Sequence, residues 1–289
     1  MNNSFKINFK QLHQEGLSEL FASLERAFNV LHIDFYIVGA VARDTWFAQR
    51  GVKTMGTKDV DFAVYIPEKE KFLDLKKYLE EKEGFRSSSQ NQYVMFNSIG
   101  QQVDLLPFGE IEVEGKVMID GTGLTQIAVN GFREVYDVAL VPVEYEGGHT
   151  FKVCSLPGIV ILKLVAYDDR PEIRQKDIRD ISKIIQNYFD IETDLIYDRH
   201  LDLFDSKAEL PLIAARVLGR QMQTILNRSS ELKKRIVSII EPAIADKDNH
   251  KIVSLLLSEQ DTTAAFIASL LSEIIKGIND KLIDETTDK

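Results

Sequence analysis

A short strand that breaks at a glycine and feeds a helix, followed by a second strand carrying two aspartates, constrains the fold of this chain more than any other feature. Phe35-Tyr36-Ile37-Val38 reads as an apolar strand, Gly39 breaks it, and Val41 to Gln49 has a helical pattern. The later segment Gly56-Thr57-Lys58-Asp59-Val60-Asp61-Phe62-Ala63-Val64 predicts a strand over Val60 to Ile66, stopped by Pro67. Side chains alternate along a strand, so Asp59 and Asp61 project together while Val60 and Phe62 point into a core. Two carboxylates about 7 Å apart on one strand face are well placed to hold divalent metal ions.

A third acid, Asp104, lies in Gln101-Gln102-Val103-Asp104-Leu105-Leu106 between apolar neighbours. An acid there must face solvent, find a partner or bind metal. Tyr93 to Asn97 and Gln101 to Leu106, joined by Ser98-Ile99-Gly100, carry a hairpin signature. Carboxylates at 59, 61 and 104 on adjacent strands could hold two Mg²⁺ ions, with Mn²⁺ as a substitute. The turn at Gly39 would present backbone N–H groups and a helix N-terminus to the phosphates of an NTP, and glycine allows that close approach. Together these features imply phosphoryl or nucleotidyl transfer, with Asp104 also helping to deprotonate an incoming hydroxyl. An Asp-x-Asp strand alone is weak, because it also describes an exposed edge with two solvated acids; the ordered series of elements is much more specific.

The remaining pattern predicts an α+β chain. A helix is expected over residues 9 to 31, where Leu17, Leu20, Phe21, Leu24, Ala27 and Phe28 recur at helical spacing. A charged helix is expected over 68 to 83, stopped by Gly84. Extended segments are expected over 110 to 119 and 135 to 145, then from His149 to Cys154 after a Gly147-Gly148 turn. Ser155 is a candidate cap and Pro157 suits a first helical turn. From there the chain reads as helical, with apolar helices over 210 to 217, 236 to 244 and 263 to 278, and a polar tail after Ile283 that is expected to fray. The expected division is a mixed-sheet domain with flanking helices over 1–154 and a mostly helical domain over 155–289.

Composition narrows the setting. No run of eighteen apolar residues predicts a membrane span, and Met1 to Lys6 lacks the apolar core of a signal peptide. Cys154 is the single cysteine of the sequence, so no intramolecular disulfide is expected, which fits a cytoplasmic protein. The net charge of −10 weighs against non-specific binding to a nucleic-acid backbone, although a local basic patch can hide in an acidic total. Candidates for one are Lys69 and Lys71 with Lys76 and Lys77, Arg228 with Lys233, Lys234 and Arg235, and Arg216 with Arg220. Solvated helix faces and structural arginines are the plainer reading of all three. The five histidines show no metal-ligand spacing.

A second constellation lies beyond Ser155. Lys163 interrupts the apolar run Ile159 to Val165, where a lysine is costly unless its head reaches water or an anion. It either binds a nucleotide triphosphate or snorkels to solvent. Arg174, Asp177, Ile178 and Ile181 fall on one helix face with Asp180 close by, although Lys176 and Asp180 could form an ordinary i,i+4 pair.

These residues carry three resemblances. Gly39, Asp59, Asp61 and Asp104 resemble the motif of the nucleotidyltransferase fold in the DNA polymerase β superfamily; Ala40 departs from it, keeping the backbone donor but lacking the hydroxyl of a serine. Ser155 with Pro157, Lys163-Leu164-Val165-Ala166, Arg174 and Lys176-Asp177-Ile178-Arg179-Asp180 are similar to the AbiEii/AbiGii family of nucleotidyltransferase toxins, over roughly residues 35 to 185. That resemblance implies an active-site role for Lys163 and for an acid of the following helix, Asp177 with Asp180 as the competing choice. It also implies NTP as donor, an RNA such as tRNA as acceptor, and a cognate antitoxin. Val38-Gly39-Ala40-Val41-Ala42-Arg43-Asp44 resembles a stretch of CCA-adding tRNA nucleotidyltransferases and poly(A) polymerases, which implies phosphate or sugar binding by Arg43; the alternative is an Arg43–Asp44 surface pair at a helix start. The base-selecting Glu-Asp-x-x-Arg element of those enzymes has no match here. Two rival readings use the same fold: nucleotidylation of a small molecule, and a non-catalytic nucleotide-binding scaffold, which Ala40 would favour.

Overall fold

The computed structural model describes residues 5–12, 16–54, 56–57, 59–206 and 208–281. Lys58, residues 13–15 of the expected first helix and the polar tail lie outside the described residues. The chain divides into two compact units, Met1–Ile159 and Val160–Lys289.

The first unit contains β1 (Phe5–Ile7), α1 (Leu17–Leu31), β2 (Phe35–Val38), α2 (Gly39–Gln49), β3 (Asp59–Tyr65) and α3 (Lys69–Glu83). It continues with β4 (Arg86–Ser87), β5 (Val94–Phe96), β6 (Gln102–Phe108), β7 (Lys116–Met118), β8 (Gln126–Ala128), α4 (Phe132–Val138), β9 (Leu140–Tyr145) and β10 (His149–Cys154). Among the described residues, eight strands form one mixed sheet in the order β1-β9-β10-β2-β3-β6-β5-β4, and β7 pairs with β8 apart from it. β2 and β3 are antiparallel, whereas β3 and β6 are parallel, as a connection through a helix such as α3 allows.

The pleat sorts β3 as the sequence predicts. Val60 and Phe62 are fully buried, and Phe62 meets the rings of Phe21, Phe28 and Phe35. Phe21 and Phe28 come from the apolar stripe of α1, so that helix covers this face. The opposite face changes character along its length. It carries Asp59 and Asp61 at one end and Tyr65 at the other, and the Tyr65 end packs with Phe108, Phe132 and Tyr136.

Three expectations need correction. The segment expected as a helix over 9 to 31 is a 3₁₀ turn over Phe9–Leu12 and then α1, entered at Gly16 in the left-handed region. Within 110 to 119 only Lys116–Met118 is a strand. The start of the segment expected as extended over 135 to 145 is helix α4, and β9 begins only at Leu140. Val135 and Tyr136 favour strands by propensity, but long-range contacts decide otherwise. Val135 is fully buried, the Tyr36 hydroxyl donates to the Phe132 carbonyl at 2.9 Å, and the Tyr136 hydroxyl donates to Asp34.

α5 (Leu156–Asp169) begins in the first unit and carries the chain into the second. The second unit continues with α6 (Gln175–Ile191), α7 (Thr193–Arg199), α8 (Leu210–Leu226), α9 (Ser230–Ala245), α10 (Lys251–Leu257) and α11 (Ala264–Asn279). Ser229 caps α9 and Thr263 caps α11, each accepting from a backbone N–H three residues on. α8 and α11 cross at Gly219 and Gly277, where a β-carbon on Gly219 would lie 2.2 Å from the Ile274 carbonyl oxygen. Among the described residues no helix is long and apolar enough to cross a membrane.

Candidate active site

Sheet register assembles the acids. Asp61 of β3 lies opposite Asp104 of β6, and on its other side opposite Val38, the last residue of β2. Neighbouring strands are about 4.8 Å apart, so these two carboxylates share one face as lateral neighbours. Asp59 is opposite Gln102 in the same register. Asp59, Asp61 and Asp104 are all half-buried, neither in the core nor freely solvated.

Two of the acids are held by groups that sequence reasoning passed over. The Thr57 hydroxyl donates to Asp59 Oδ1, and the Gln102 side-chain amide donates to Asp104 Oδ1 at 2.8 Å. Both holders sit two residues before the acid they serve, a spacing that shares a strand face and was the available signal.

The turn is fixed as tightly. Gly39 has φ 67° and opens α2, and a β-carbon there would lie 2.0 Å from Asp61 Oδ2. Only glycine fits on both counts. α2 is buried along Ala40 to Ala48 and is tied down at Trp46, whose indole N–H donates to the Cys154 carbonyl at 2.8 Å, and at Thr45, which bonds the Tyr145 hydroxyl. Ala40 therefore sits in a pinned helix start, its backbone retained and its methyl nearly enclosed.

Arg43 follows inside the same helix. Its Nε and Nη2 both donate to Asp44 Oδ1, at 2.8 and 2.6 Å, and its guanidinium lies 5.9 Å from the Phe47 ring centroid. Both residues are almost wholly buried, so this is an interior pair rather than the surface pair weighed from the sequence.

The second unit gathers the other predicted residues. The Lys163 ammonium donates to Asp177 Oδ1 at 2.7 Å and to Asp180 Oδ2 at 2.8 Å. The side chain of Lys163 is 10% exposed, so its head does not snorkel to water. Asp177 and Asp180 were competing choices; the structure joins both to the same lysine. Arg174 Nη1 lies 3.6 Å from Asp177 Oδ2, an oxygen with no hydrogen-bond donor among the described residues. Burial by itself would lower the lysine pKa, but the two carboxylates outweigh it and hold the ammonium above its usual value.

The basic runs are largely engaged. Arg216 pairs with Asp280 and Glu273, Arg220 with Asp202 and Asp280, and Arg235 with Asp168 and Asp169. Lys76 is buried and donates to the Gln92 carbonyl, Lys69 pairs with Asp120, and Lys233 donates to the Ile278 carbonyl. These are structural roles, but Lys76 is buried and Arg216 and Arg220 are paired and largely enclosed rather than on solvated or exposed faces.

Among the described residues, no group of three or more His, Cys, Asp or Glu side chains is arranged to hold an ion. Mg²⁺ does not need one, because it is commonly held by one or two carboxylates, with waters and substrate phosphates supplying the other oxygens. Half-buried carboxylates at 61 and 104, beside a turn shaped for close backbone approach, fit that mode.

A mixed sheet that sets carboxylates on neighbouring strands beside a strand–glycine–helix turn defines an α+β protein of nucleotidyltransferase type. The chain belongs to the AbiEii family: the family model described as "Nucleotidyl transferase AbiEii toxin, Type IV TA system" matches residues 56–275. The matched span takes in Asp59, Asp61, Asp104, Lys163, Asp177 and Asp180 and begins after the Gly39 turn. A search of the curated proteins gave no match. Solved structures similar to the chain include the antibiotic-resistance factor ANT(2'')-Ia, at 15% identity over 63% of this chain and 86% of that one, with TM-score 0.35. An antigenic nucleotidyltransferase-like protein from Paracoccidioides brasiliensis is 18% identical over 68% and 91%, with TM-score 0.40. The Thermotoga maritima CCA-adding enzyme complexed with tRNA is 13% identical over 94% and 84%, with TM-score 0.32.

Proposed function

We propose that this protein transfers a nucleoside monophosphate from an NTP to a hydroxyl acceptor, with Mg²⁺ at Asp59, Asp61 and Asp104. The observation that carries this reading is the lateral pairing of Asp61 with Asp104 directly beside Gly39. In the reaction the acceptor oxygen bonds to the α-phosphorus, the bond from that phosphorus to the bridging oxygen breaks, and pyrophosphate leaves. The hydroxyl proton passes to a carboxylate, for which Asp104 is the choice. Bound Mg²⁺ would supply charge neutralisation at the phosphates and acidify the acceptor hydroxyl. The first N–H groups of α2 would bind phosphate oxygens, as helix N-termini do. Lys163 and Asp177 stand as nucleotide-side residues by family membership, with Arg43 supporting the turn from behind.

The acceptor we favour is RNA of tRNA type, in a cytoplasmic toxin with a cognate antitoxin, in keeping with the family's description as part of a type IV toxin–antitoxin system. A small-molecule hydroxyl acceptor is the second reading. It is favoured by the engagement of Arg216, Arg220 and Arg235 with carboxylates, since cations so paired neutralise few phosphates of a long nucleic acid. The test is incubation with Mg²⁺, each labelled NTP in turn and total cellular RNA, beside the Asp59→Asn/Asp61→Asn variant. Label on RNA with the wild type alone supports the first reading. NTP binding that depends on metal, without label on RNA, moves the acceptor to a small molecule or protein. Absence of NTP binding leaves a non-catalytic scaffold.

A further inference from the structure

Asp59 and Asp61 on β3, with Gln102 and Asp104 on β6, form a two-by-two block on one sheet face, because Asp59 is opposite Gln102 and Asp61 is opposite Asp104. Gln102 is the one uncharged member of that block. On its other side β6 pairs with β5, where Phe96 lies opposite Gln102 and Val94 opposite Asp104, so the register places apolar residues there. A carboxylate only accepts, so the 2.8 Å contact fixes the amide as donor to Asp104 Oδ1.

We infer that Gln102 is a positioning residue of the acid site: its amide N–H holds Asp104 in the orientation that presents the carboxylate to a divalent cation. This rests on the metal-site reading proposed above. The chemistry at position 102 has few solutions. A carboxylate accepts through two oxygens and about four lone-pair sites, so one donated bond orients it and leaves capacity for a cation. A lysine or arginine would also orient Asp104 but would bring a positive charge that competes with the cation. A glutamate would add a fourth negative charge and no donor. An aliphatic side chain would remove one of the bonds that hold the carboxylate, so that part of its orientation would be lost to metal binding. A neutral donor such as this amide orients without competing, as the Thr57 hydroxyl does for Asp59. Groups that orient metal ligands in this way typically change metal affinity or activity about 10–100-fold when removed.

The test titrates Mn²⁺ into the full-length protein without nucleotide and reads free Mn²⁺ by electron paramagnetic resonance. Wild type is compared with Gln102→Met, which keeps an unbranched side chain of similar size but no donor. Gln102→Val, a strand-favouring substitution, is a second variant should the first fold poorly, and thermal unfolding without metal checks both. The expected result is Mn²⁺ binding weakened about 10-fold or more in a folded variant, with transfer activity recovering as Mg²⁺ is raised. A purely structural role would not respond to added metal. Mn²⁺ affinity within about twofold of wild type in a folded variant would overturn the inference, being far below the effect of an orienting partner. If wild type binds no Mn²⁺ either alone or with a non-transferable NTP analogue that supplies phosphate oxygens, the metal-site reading fails and this inference falls with it.

Discussion

Gly39 faces Asp61 so closely that a β-carbon at position 39 would lie 2.0 Å from the carboxylate Oδ2. The turn at Gly39 and the acid strand are therefore one steric unit. Gly39→Ala should suffer twice, through about 1–2 kcal/mol of left-handed backbone strain and through displacement of the Asp61 side chain. The expected outcome is a lower thermal midpoint together with lost nucleotidyl transfer. A variant with the wild-type midpoint and full transfer would contradict the contact.

Asp61→Asn keeps the shape and removes the charge. Asp61 is half-buried on a sheet face rather than in the core, so stability should stay within about 1 kcal/mol of wild type in denaturant unfolding. Label transfer from NTP should fall by more than the roughly 10–100-fold typical of an outer-sphere partner. Transfer that survives this substitution would remove Asp61 from the site.

Lys163→Met should behave differently. It leaves Asp177 and Asp180 facing each other inside the helical unit without their shared cation. Breaking a buried pair by removing one partner costs about 3–5 kcal/mol, and neutralising Asp177 and Asp180 in the same chain should restore much of the loss. The pH dependence has a definite sign. The lysine pKa is raised in the folded state, so its contribution is fully present below the unfolded value of about 10.4 and is lost as pH rises through the folded value. Unfolding midpoints between neutral and strongly alkaline pH should thus fall more steeply in wild type than in Lys163→Met. Parallel curves would count against the triad.

Gly219→Ala tests the α8–α11 crossing. No left-handed backbone is involved, so the effect is steric: the new methyl would lie 2.2 Å from the Ile274 carbonyl oxygen. Overpacking of this kind typically costs about 1–3 kcal/mol, and calorimetry should show a lower midpoint. Because Gly219 belongs to the second compact unit and Asp59, Asp61 and Asp104 to the first, Mn²⁺ binding by the folded variant should be unchanged.

Much of the site was legible in the chain. Alternation along one strand was enough to pair Asp59 with Asp61 and to bury Val60 and Phe62. The hairpin signature placed Asp104 on a separate strand, and β5 and β6 do pair there. What the pattern left open was register, which depends on strands far apart in sequence: nothing local says that Asp104, rather than a neighbour, lies opposite Asp61. Thr57 and Gln102 were missed although each stands only two residues before its acid, since spacing alone does not say whether a hydroxyl or an amide turns to the acid or to another partner.

Helix α4 is the clearest failure of local reading. Val135 and Tyr136 have strand propensity, yet they lie in a helix held by contacts to Tyr36 and Asp34, about a hundred residues earlier. Lys163 shows the converse. A lysine within an apolar run marked a special position, but whether it met water, phosphate or carboxylate was decided by the packing of α5 against α6.

The sequence by itself determined the order of elements, the glycine at the turn, the face shared by Asp59 and Asp61, and the helical second half. These depend on spacing and backbone preference within a few residues. Tertiary structure alone decided the Asp61–Asp104 pairing, the enclosure of Arg43 and the sharing of Lys163 by two aspartates. Each of those is a distance between groups on different elements, or the burial that packing imposes on one of them. Such relations are fixed by strand register and helix packing, to which many distant residues contribute at once.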